Sequence, residues 1–281
     1  MQLYVLGGDN RIGFMAEALR QSGEDVTGLG ISADTIPVKL LHEGVRHADA
    51  VILGVPATRD GETVYAPAFS GLIPIDGLLE ACRPETPVLC GMANDALKQR
   101  FAAEGIPLLD YFSREELALL NAVPTAEGAL EIAMRELPVT LWGAKCLVAG
   151  FGRIGKYLAR SLAALGAHVT VSARKPSDFA LCRMYGYATT ETAEITRSAK
   201  TYDVIFNTVP EKVINASVLS ALKPGALVID LASLPGGVDK EAAEAFGVKT
   251  IHALSLPGKV APKTAGKILC ETIRNILSER K

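Results

Sequence analysis

The chain has 281 residues, of which 49% are hydrophobic and 21% charged, and its 29 basic and 31 acidic side chains give a formal net charge of -2. This much apolar side chain excludes intrinsic disorder, and the lack of a basic excess argues against a dedicated nucleic-acid binder. No uninterrupted apolar run approaches the roughly 20 residues of a membrane span, and the first residues lack the basic region of a signal peptide, so we expect neither. At roughly 100–200 residues per domain, the length predicts two domains.

Short apolar runs alternate with helix-period segments, which is typical of an α/β protein with parallel strands. In the first part, we predict strands at 3–6, 26–29, 50–55, 88–89 and 108–109, and helices at 12–21, 77–82 and 93–104. The segment 56–74 is rich in Gly, Pro, Thr and Ser and is predicted to be a loop at the carboxyl end of a strand. We expect an ordinary solvated loop there, with a lid or a docking edge as the alternatives.

A second cycle begins near Trp142. Its predicted strands are 145–149, 168–172, 203–208, 226–231 and 249–253, and its predicted helices are 155–165, 179–184, 193–198, 215–221 and 240–246. Between the cycles, Pro124 suits the first turn of a helix, where its missing N–H costs nothing, and Pro138 ends that helix. We therefore predict a first domain at 1–120, a connecting helix at 121–138, a second domain at 139–260, and an amphipathic helix at 261–281 that packs back on the first domain.

Cysteine and histidine spacing indicates no metal site and no disulfide framework. The five cysteines are scattered, with no C-x-x-C pair, and the four histidines show no ligand spacing. We expect buried thiols in a reducing cytosol.

The strongest motif is a G-x-G-x-x-G loop that follows an apolar strand and opens an amphipathic helix. Gly150 allows the tight turn, Gly152 lets a pyrophosphate approach the backbone, and Gly155 lets helix and strand pack closely. Arg153 and Ile154 complete the loop, and the helix N-terminus would face the phosphates. We predict dinucleotide binding here.

The end of the next strand predicts NADP rather than NAD. An NAD site usually carries a carboxylate about 20 residues on, but this chain has Ser172 followed by Ala, Arg174 and Lys175. A hydroxyl and two cations can receive a 2′-phosphate, and Arg174 can bind it in a bidentate fork. The alternative is that Arg174 and Lys175 form a solvated turn.

Two later strand ends are expected near the nicotinamide. The fourth strand of the second domain closes with Asn207, Thr208, Val209 and Pro210. The fifth closes with the string DLASLPGG from Asp230, which contains Ser233 and is either a plain turn or a functional one.

The N-terminal loop GGDNRIG from Gly7 partly repeats the cofactor loop but is not expected to bind a second dinucleotide. Asp9 would place a carboxylate where the pyrophosphate should lie. Asp9 could instead accept a proton while Arg11 binds a substrate carboxylate; the alternative is an Asp9–Arg11 surface ion pair.

Taken together, these motifs resemble those of the A subunits of dipicolinate synthase. The resemblance runs nearly end to end and rests on GGDxR from Gly7, NxxPTxEG from Asn121, the glycine loop and NTxP from Asn207, and above all on DLASxPGG from Asp230 and LPGxVAPKTAG from Leu256. Ser255 departs from it, because a glycine is expected before Leu-Pro-Gly, and the match around 90–94 is loose.

The resemblance implies an oxidoreductase of sporulation that works with a separate flavoprotein B subunit. Together they would oxidise dihydrodipicolinate, or its hydroxylated tetrahydro precursor, to dipicolinate, with flavin held only by the partner. The implied fold is similar to the D-2-hydroxyacid dehydrogenases: a Rossmann NAD(P)-binding domain joined by two crossings to a flavodoxin-like domain. The implied location is the cytoplasm of the mother cell, and this architecture leads us to expect a homo-oligomer.

A small dicarboxylate substrate needs cations at its carboxylates, for which Arg11 and Lys263 are the candidates; Lys263 is alternatively a surface lysine at a helix start. Either Asp9 or Glu127 would be the base that removes ring protons, and the sequence does not choose between them. The alternative role of Glu127 is to cap its own helix. The remaining substrate candidates are polar or loop residues near the expected cleft: Thr58, Asn94, Asn121, Thr125, Ser233, Pro257, Gly258 and, as an assisting hydroxyl, Thr264.

Two other functions remain as alternatives. A generic D-2-hydroxyacid dehydrogenase needs a histidine base and a carboxylate-binding arginine, whereas His252 lacks the usual following proline and the strand end at 231–234 lacks the arginine. A non-catalytic subunit, in which NADP only regulates the flavoprotein, is the second.

Overall fold

The computed structural model describes residues 1–280, which form two compact units, each with its own parallel sheet. Unit 1 comprises Met1–Asn121 and the described residues from Pro257 onward, and unit 2 comprises Ala122–Leu256. The strands are β1 (Gln2–Leu6), β2 (Asp25–Leu29), β3 (Ala50–Leu53), β4 (Val88–Cys90), β5 (Leu108–Asp110), β6 (Lys145–Ala149), β7 (His168–Ala173), β8 (Ala188–Glu191), β9 (Val204–Asn207), β10 (Leu227–Asp230) and β11 (Lys249–His252). The helices are α1 (Asn10–Gln21), α2 (Leu41–Arg46), α3 (Ile75–Ala81), α4 (Asp95–Ala103), α5 (Glu115–Glu136), α6 (Arg153–Ala164), α7 (Pro176–Met184), α8 (Ile195–Ser198), α9 (Ala216–Ser220), α10 (Lys240–Ala245), α11 (Leu256–Val260) and α12 (Pro262–Ser278).

The sheet of unit 1 has the strand order β2-β1-β3-β4-β5, which is the flavodoxin-like order with its topological switch between β1 and β3. The loops after these two strands nearly touch, because a Cβ built on Gly54 would lie 2.4 Å from the Gly8 Cα atom. Ligands of open α/β sheets bind at such a switch point, so the Asp9 loop lies at the expected position for a site.

One face of this sheet is covered by α1 and α12, which approach each other closely. A Cβ built on Gly266 would lie 2.6 Å from the Arg11 carbonyl oxygen, so the α12 backbone contacts the first turn of α1. Ile12 and Met15 of α1 and Ile273 of α12 are fully buried in the same apolar cluster. The tail helix is therefore part of the core of unit 1.

The segment 56–74 contains no helix or strand, as predicted, but isolated bridges and hydrogen bonds hold this loop against the rest of unit 1. Thr58 pairs with Val64 in an antiparallel bridge, and the Tyr65 amide donates to the Ala57 carbonyl. The Asp60 carboxylate accepts hydrogen bonds within the tip, and Arg100 Nη1 donates to the Gly61 carbonyl at 2.5 Å. A composition rich in Gly and Pro does not encode these backbone bonds.

The sheet of unit 2 has the order β11-β10-β9-β6-β7-β8, all parallel, which is the strand order of a Rossmann domain. The predicted α/β fold is thus confirmed. Three short elements, α2, β8 and α11, were not predicted. The edge strand β8 has the sequence ATTE and no buried residue, so it lacks the apolar pattern of the inner strands.

The helix α5 begins at Glu115 and ends at Glu136, which corrects the predicted start near Pro124. Pro124 lies inside the helix and is buried there. A proline in a helix interior removes one backbone hydrogen bond, normally a cost of about 3 kcal/mol, and here the tertiary packing on both sides outweighs that preference. The boundary between the two units falls within this helix, at Asn121.

Among the described helices, α5 is also the one that is long and apolar enough to cross a membrane. Half of its most apolar window is buried, with Leu117 in the core of unit 1 and Ala129 and Ala133 in the core of unit 2. Core helices of soluble proteins meet the same criterion, and packing into these cores accounts for the apolar sequence of α5.

Candidate dinucleotide and substrate sites

The glycine loop between β6 and α6 has the geometry that its spacing predicts. Gly150 adopts φ +94°, a left-handed conformation that favours glycine, and a Cβ there would lie 2.5 Å from the Thr208 Oγ1 atom. At Gly155 a Cβ would lie 2.1 Å from the Gly150 carbonyl oxygen. Both glycines are therefore required by contacts within the protein itself.

Gly152 differs from the other two glycines because a Cβ on it would meet no atom within 4 Å. It is the N-cap of α6, with φ −78° and ψ −160°, a conformation open to any residue, and it is exposed. The structure thus gives no internal reason for a glycine at this position. Open space beside a helix N-terminus fits a pyrophosphate that approaches the backbone, so the residues present fit a dinucleotide.

The remaining loop residues have separate environments. Arg153 begins α6 and is exposed but engaged in an interaction, and Ile154 packs partly buried against the core. Phe151 is buried, its ring stacks edge-on against Tyr187, and Lys156 Nζ lies 5.7 Å from its ring centroid. These contacts hold the loop against the domain.

The residues after β7 differ in accessibility. Arg174 and Lys175 are exposed, whereas Ser172 is fully buried and its hydroxyl has no hydrogen-bond partner. The expected contact between the Ser172 hydroxyl and a 2′-phosphate is therefore corrected, because the strand turns this side chain into the protein. A phosphate at this strand end would be recognised by Arg174 and Lys175.

A carboxylate that the spacing of the motifs did not indicate lies beside Arg174. The Arg174 Nη1 atom is 3.7 Å from Glu211 Oε2, and both side chains are exposed. Arg174 also borders a crevice of about 470 Å³, with Lys212 as a second lining cation. Glu211 directly follows the Asn207–Pro210 string. Its position beside Arg174 becomes visible only in the structure, where the ends of β7 and β9 lie at the same edge of the sheet.

The end of β9 is held by its own side chains. The Asn207 Nδ2 atom donates to the Val209 carbonyl at 2.9 Å, and the Val209 amide donates to Asn207 Oδ1 at 3.2 Å. Thr208 donates through Oγ1 to the Ala149 carbonyl at the end of β6. Pro210 follows this turn and is less buried than Asn207. The predicted cofactor residues here shape the sheet edge rather than display free polar groups.

The turn after β10 exposes Ser233 to solvent, whereas the residues at the two ends of the turn, Ala232 and Gly236, are buried. The Gly236 amide donates to the Ser233 carbonyl at 2.9 Å, and the Ala232 carbonyl lies 2.9 Å from His252 Nε2. Within residues 1–280, this contact with a carbonyl is the one hydrogen bond of the His252 ring. The ring therefore lacks the hydrogen-bonded carboxylate that a histidine base of a dehydrogenase requires.

In unit 1, Asp9 and Arg11 form an ion pair that is more buried than the surface pair named as the alternative. Arg11 Nε donates to Asp9 at 3.0 Å and Nη2 donates at 2.7 Å, and the Arg11 side chain is only 8% exposed. Nη2 also donates to the Val55 carbonyl, whereas Nη1 makes no hydrogen bond within residues 1–280. The Asp9 carboxylate thus already binds the Arg11 guanidinium and caps α1. Both contacts occupy its oxygens, which argues against Asp9 as the base.

The polar substrate candidates on the loops and on α5 already interact within the chain. Thr58 Oγ1 donates to Asp60 and accepts from the Gly61 amide, and Asn94 Oδ1 accepts from the Leu97 amide as the N-cap of α4. Both side chains stabilise local turns. Asn121 and Thr125 are half-buried on α5 and engaged in interactions.

Glu127 and Lys263 are exposed on helices. Glu127 lies in the interior of α5, so the alternative that it caps its own helix is wrong. Lys263 follows Pro262 at the start of α12, as a surface lysine would. Thr264 beside it is exposed as well.

The short helix α11, which precedes α12, contacts Arg11 directly. A Cβ on Gly258 would lie 2.9 Å from Arg11 Nε, so the glycine backbone packs against the guanidinium, and Pro257 beside it is half-buried. Ser255 adopts φ +59°, which explains why a glycine is expected at this position. Pro257 and Gly258 thereby form one wall of the Asp9–Arg11 site.

Comparisons with known proteins agree with this geometry. Residues 2–112 match the N-terminal domain of the dipicolinate synthase A subunit, and residues 125–252 match the NAD-binding domain of D-isomer specific 2-hydroxyacid dehydrogenases. The chain is 34% identical to the dipicolinate synthase A subunit of Bacillus subtilis (strain 168), over 99% of this chain and 96% of that protein. The chain belongs to the family of dipicolinate synthase A subunits.

Solved structures show the same relationship. The crystal structure of the dipicolinate synthase A subunit from Bacillus halodurans has a TM-score of 0.91 and 30% identity, over 98% of this chain and 97% of that chain. Salmonella D-lactate dehydrogenase has a TM-score of 0.65 and 14% identity, over 100% and 97%, and shows the fold alone. The resemblance drawn from the motifs is confirmed, and a nicotinamide cofactor and an oxidoreductase follow from the family and its NAD-binding domain.

This member of the family holds no cluster of three potential metal ligands within residues 1–280. Its cysteines are free thiols: Cys82, Cys90, Cys146, Cys182 and Cys270. Burial raises the pKa of Cys90 and Cys146 to about 12 each and that of Cys82 to about 11.

We expect native protein at pH 8 to react slowly with Ellman's reagent, because a thiol whose pKa is raised carries little of the reactive thiolate. Half-buried Cys82 should react before the others. Unfolding in guanidinium should release all five thiols at once, which serves as the internal control. Rapid labelling of two or more thiols in the native protein would contradict this expectation.

Proposed function

We propose that this chain is the NADP-binding subunit of a dipicolinate synthase and acts with a flavoprotein B subunit during sporulation. The reaction is the oxidation of dihydrodipicolinate, or of its hydroxylated tetrahydro precursor, to dipicolinate, in the cytoplasm of the mother cell. The observation that carries the proposal is the match to the Bacillus subtilis protein over nearly the whole length of both chains. Self-association into a homo-oligomer is part of the proposal.

The binding residues divide between the two units. In unit 2 the glycine loop and α6 would hold the pyrophosphate, with Arg174 and Lys175 at the 2′-phosphate, and bound NADP would supply a hydride acceptor. In unit 1 Arg11 offers Nη1 to a substrate carboxylate, and the Asp9 contact fixes the plane of its guanidinium. A fixed planar donor suits recognition of a carboxylate.

The preference for NADP is tested by a pair of variants at the β7 end. Arg174→Ala should weaken NADP binding about 30-fold and change NAD binding less than about 3-fold, because a charge-assisted phosphate contact stabilises by roughly 1.5–3 kcal/mol. Glu211→Gln should strengthen NADP binding a few-fold, since Glu211 would no longer pair with Arg174 or repel the phosphate. Titration of each cofactor by calorimetry measures both effects. Equal losses for NADP and NAD in Arg174→Ala would contradict the assignment.

The reaction is tested by reconstitution with the purified B subunit, dihydrodipicolinate or its precursor, and NADP, each left out in turn. Dipicolinate is followed by its ultraviolet absorbance and reduced NADP by its own near-ultraviolet absorbance. We expect dipicolinate and reduced NADP to form in equal amounts, and only when both proteins are present.

Other results identify the alternatives. Flavin reduction without nicotinamide turnover would favour the non-catalytic regulatory subunit. Rapid oxidation of lactate or glycerate by this chain alone would favour a D-2-hydroxyacid dehydrogenase. Either outcome would overturn the proposed reaction, whereas NADP binding by unit 2 would still stand on the variant titrations.

A further inference from the structure

A buried acid in the family string DLASxPGG has no role in either candidate site. Asp230 ends β10 and is 2% exposed. Removing a carboxylate from water is costly unless partners compensate it, so a buried acid at a ligand-binding edge of the sheet indicates a specific role.

The partners of Asp230 are all neutral donors. Its Oδ1 atom accepts from Asn207 Nδ2 at 2.8 Å and from the Ala232 amide at 3.2 Å, and Oδ2 accepts from the Gly237 amide at 2.8 Å. Within residues 1–280, no basic side chain forms an ion pair with it. A carboxylate that only accepts hydrogen bonds has the contacts of the ionised form, so its negative charge is solvated by dipoles and not neutralised.

The Asn207 amide is fixed in one orientation. Its Nδ2 atom also donates to the Val209 carbonyl, while its Oδ1 atom accepts from the Val209 amide. The opposite orientation would place Oδ1 against the Asp230 carboxylate and the NH₂ group against an N–H, so the hydrogen-bond network decides the assignment.

The backbone of the glycine pair and the ring of His252 lie beside this cluster. A Cβ on Gly236 would lie 3.0 Å from His252 Cε1, but the Nε2 atom of that ring bonds to the Ala232 carbonyl and not to Asp230. A Cβ on Gly236 would lie 2.6 Å from Asp230 Oδ2, and a Cβ on Gly237 would lie 2.3 Å from Asn207 Nδ2. The turn backbone therefore packs directly on the carboxylate and the amide. The charge of Asp230 remains at the carboxyl edge of β10 with little solvent to screen it.

This edge belongs to the half of the sheet expected to receive the nicotinamide. In a Rossmann sheet the strand after the glycine loop carries the ribose-recognition position of the adenosine end, which is β7 here. The second mononucleotide half is then β9, β10 and β11. Asp230 and Asn207 close two strands of that half.

We propose that Asp230 is a positioning residue that clamps the 231–237 turn to Asn207 and whose buried negative charge makes unit 2 bind oxidised nicotinamide cofactor more tightly than reduced. The oxidised ring is a cation and the reduced ring is neutral, so a nearby uncompensated carboxylate favours the oxidised form. Such a preference suits a protein that takes up oxidised cofactor and releases the reduced product. The proposal rests on nicotinamide binding by unit 2, a part of the proposed function, and not on the dipicolinate reaction.

The test compares dissociation constants for the oxidised and reduced cofactor, measured by calorimetry on the full chain. Asp230→Asn removes the charge at constant size and should shift the affinity ratio about tenfold toward the reduced form, equivalent to about 1.4 kcal/mol. Asn207→Ser is the matched control, because it breaks the same hydrogen bond but keeps the carboxylate. It should weaken both forms alike and leave the ratio within about threefold of wild type.

A purely structural role predicts a different result. If Asp230→Asn weakens both forms by the same factor, or changes neither, the proposed electrostatic role is overturned. Should Asp230→Asn fail to fold, Asp230→Ser leaves room for water at the Ala232 and Gly237 amides, and the same ratio is measured. Failure of both neutral variants to fold would overturn the proposal too, since the carboxylate would then act on folding.

The measurement is made with both NADP and NAD, so the two proposals fail separately. Wild-type protein that binds neither dinucleotide would overturn the proposed function. If wild-type protein binds either dinucleotide but Asp230→Asn leaves the ratio of the oxidised and reduced dissociation constants unchanged, only the proposed role of Asp230 is overturned.

Discussion

Replacing Gly152 by alanine is expected to weaken binding of the dinucleotide about 100-fold while leaving the stability of the chain unchanged. The added methyl group meets no atom within 4 Å and the backbone angles suit alanine, so the free protein tolerates it. The same methyl group would occupy the space through which a pyrophosphate approaches the α6 N-terminus, and a 100-fold loss corresponds to about 2.8 kcal/mol. Calorimetric titration of NADP and thermal unfolding of the apo protein measure the two properties.

Gly155→Ala is the matched variant, because it adds the same methyl group to the same loop at a position without space. Its Cβ would lie 2.1 Å from the Gly150 carbonyl oxygen, a backbone atom that cannot swing aside. We expect this variant to lose cofactor binding and also roughly 5–10 °C in Tm, because overpacking costs about 1–3 kcal/mol. A Gly152→Ala protein that binds NADP like wild type would remove the glycine loop from the cofactor site.

Arg11→Lys is expected to lower dipicolinate formation by the reconstituted enzyme at least about 100-fold. Lysine keeps the charge, but its three N–H donors all lie on one nitrogen. That single atom cannot reproduce the planar spacing by which Nε and Nη2 bind Asp9 and the Val55 carbonyl while Nη1 is offered to substrate. Because Arg11 is buried, a loss of a few degrees in Tm is expected too. Steady-state kinetics should show the larger effect on kcat/KM.

The matched control is Arg20→Lys on the same helix, where the arginine is exposed and donates to the Thr35 carbonyl at 2.5 Å. This variant should retain the activity of the wild type. NADP affinity, which the proposed function assigns to unit 2, should stay unchanged in both variants and so separates substrate binding from misfolding. Arg11→Lys protein with wild-type KM and kcat would refute a substrate-binding role for Arg11.

Much of the architecture was predictable because it depends on local patterns. The inner strands of both sheets are buried on both faces and appear as short apolar runs, and the spacing of the glycine loop between a strand and a helix is specific to dinucleotide-binding turns. The start of α5 was not predictable from such patterns, because Pro124 in isolation favours a first turn and only the packing of both cores keeps it inside a helix. The bonds that hold the 56–74 loop, such as that from the Ala57 amide to the Gly91 carbonyl, join residues distant in sequence and leave no periodic signal either.

The sequence by itself determined the fold class, the family and the position of the dinucleotide loop, since each is encoded in residue types at fixed spacing. Only the tertiary structure decided which polar groups are available at the site. The Ser172 hydroxyl is buried, and Glu211 pairs with Arg174. Asp230 accepts a hydrogen bond from Asn207 and forms no ion pair within residues 1–280. The physical reason is that a parallel sheet brings the carboxyl ends of strands distant in sequence to one edge. Which side chains pair there depends on the geometry of the turns and on the space available, and the spacing of residues along the chain predicts neither.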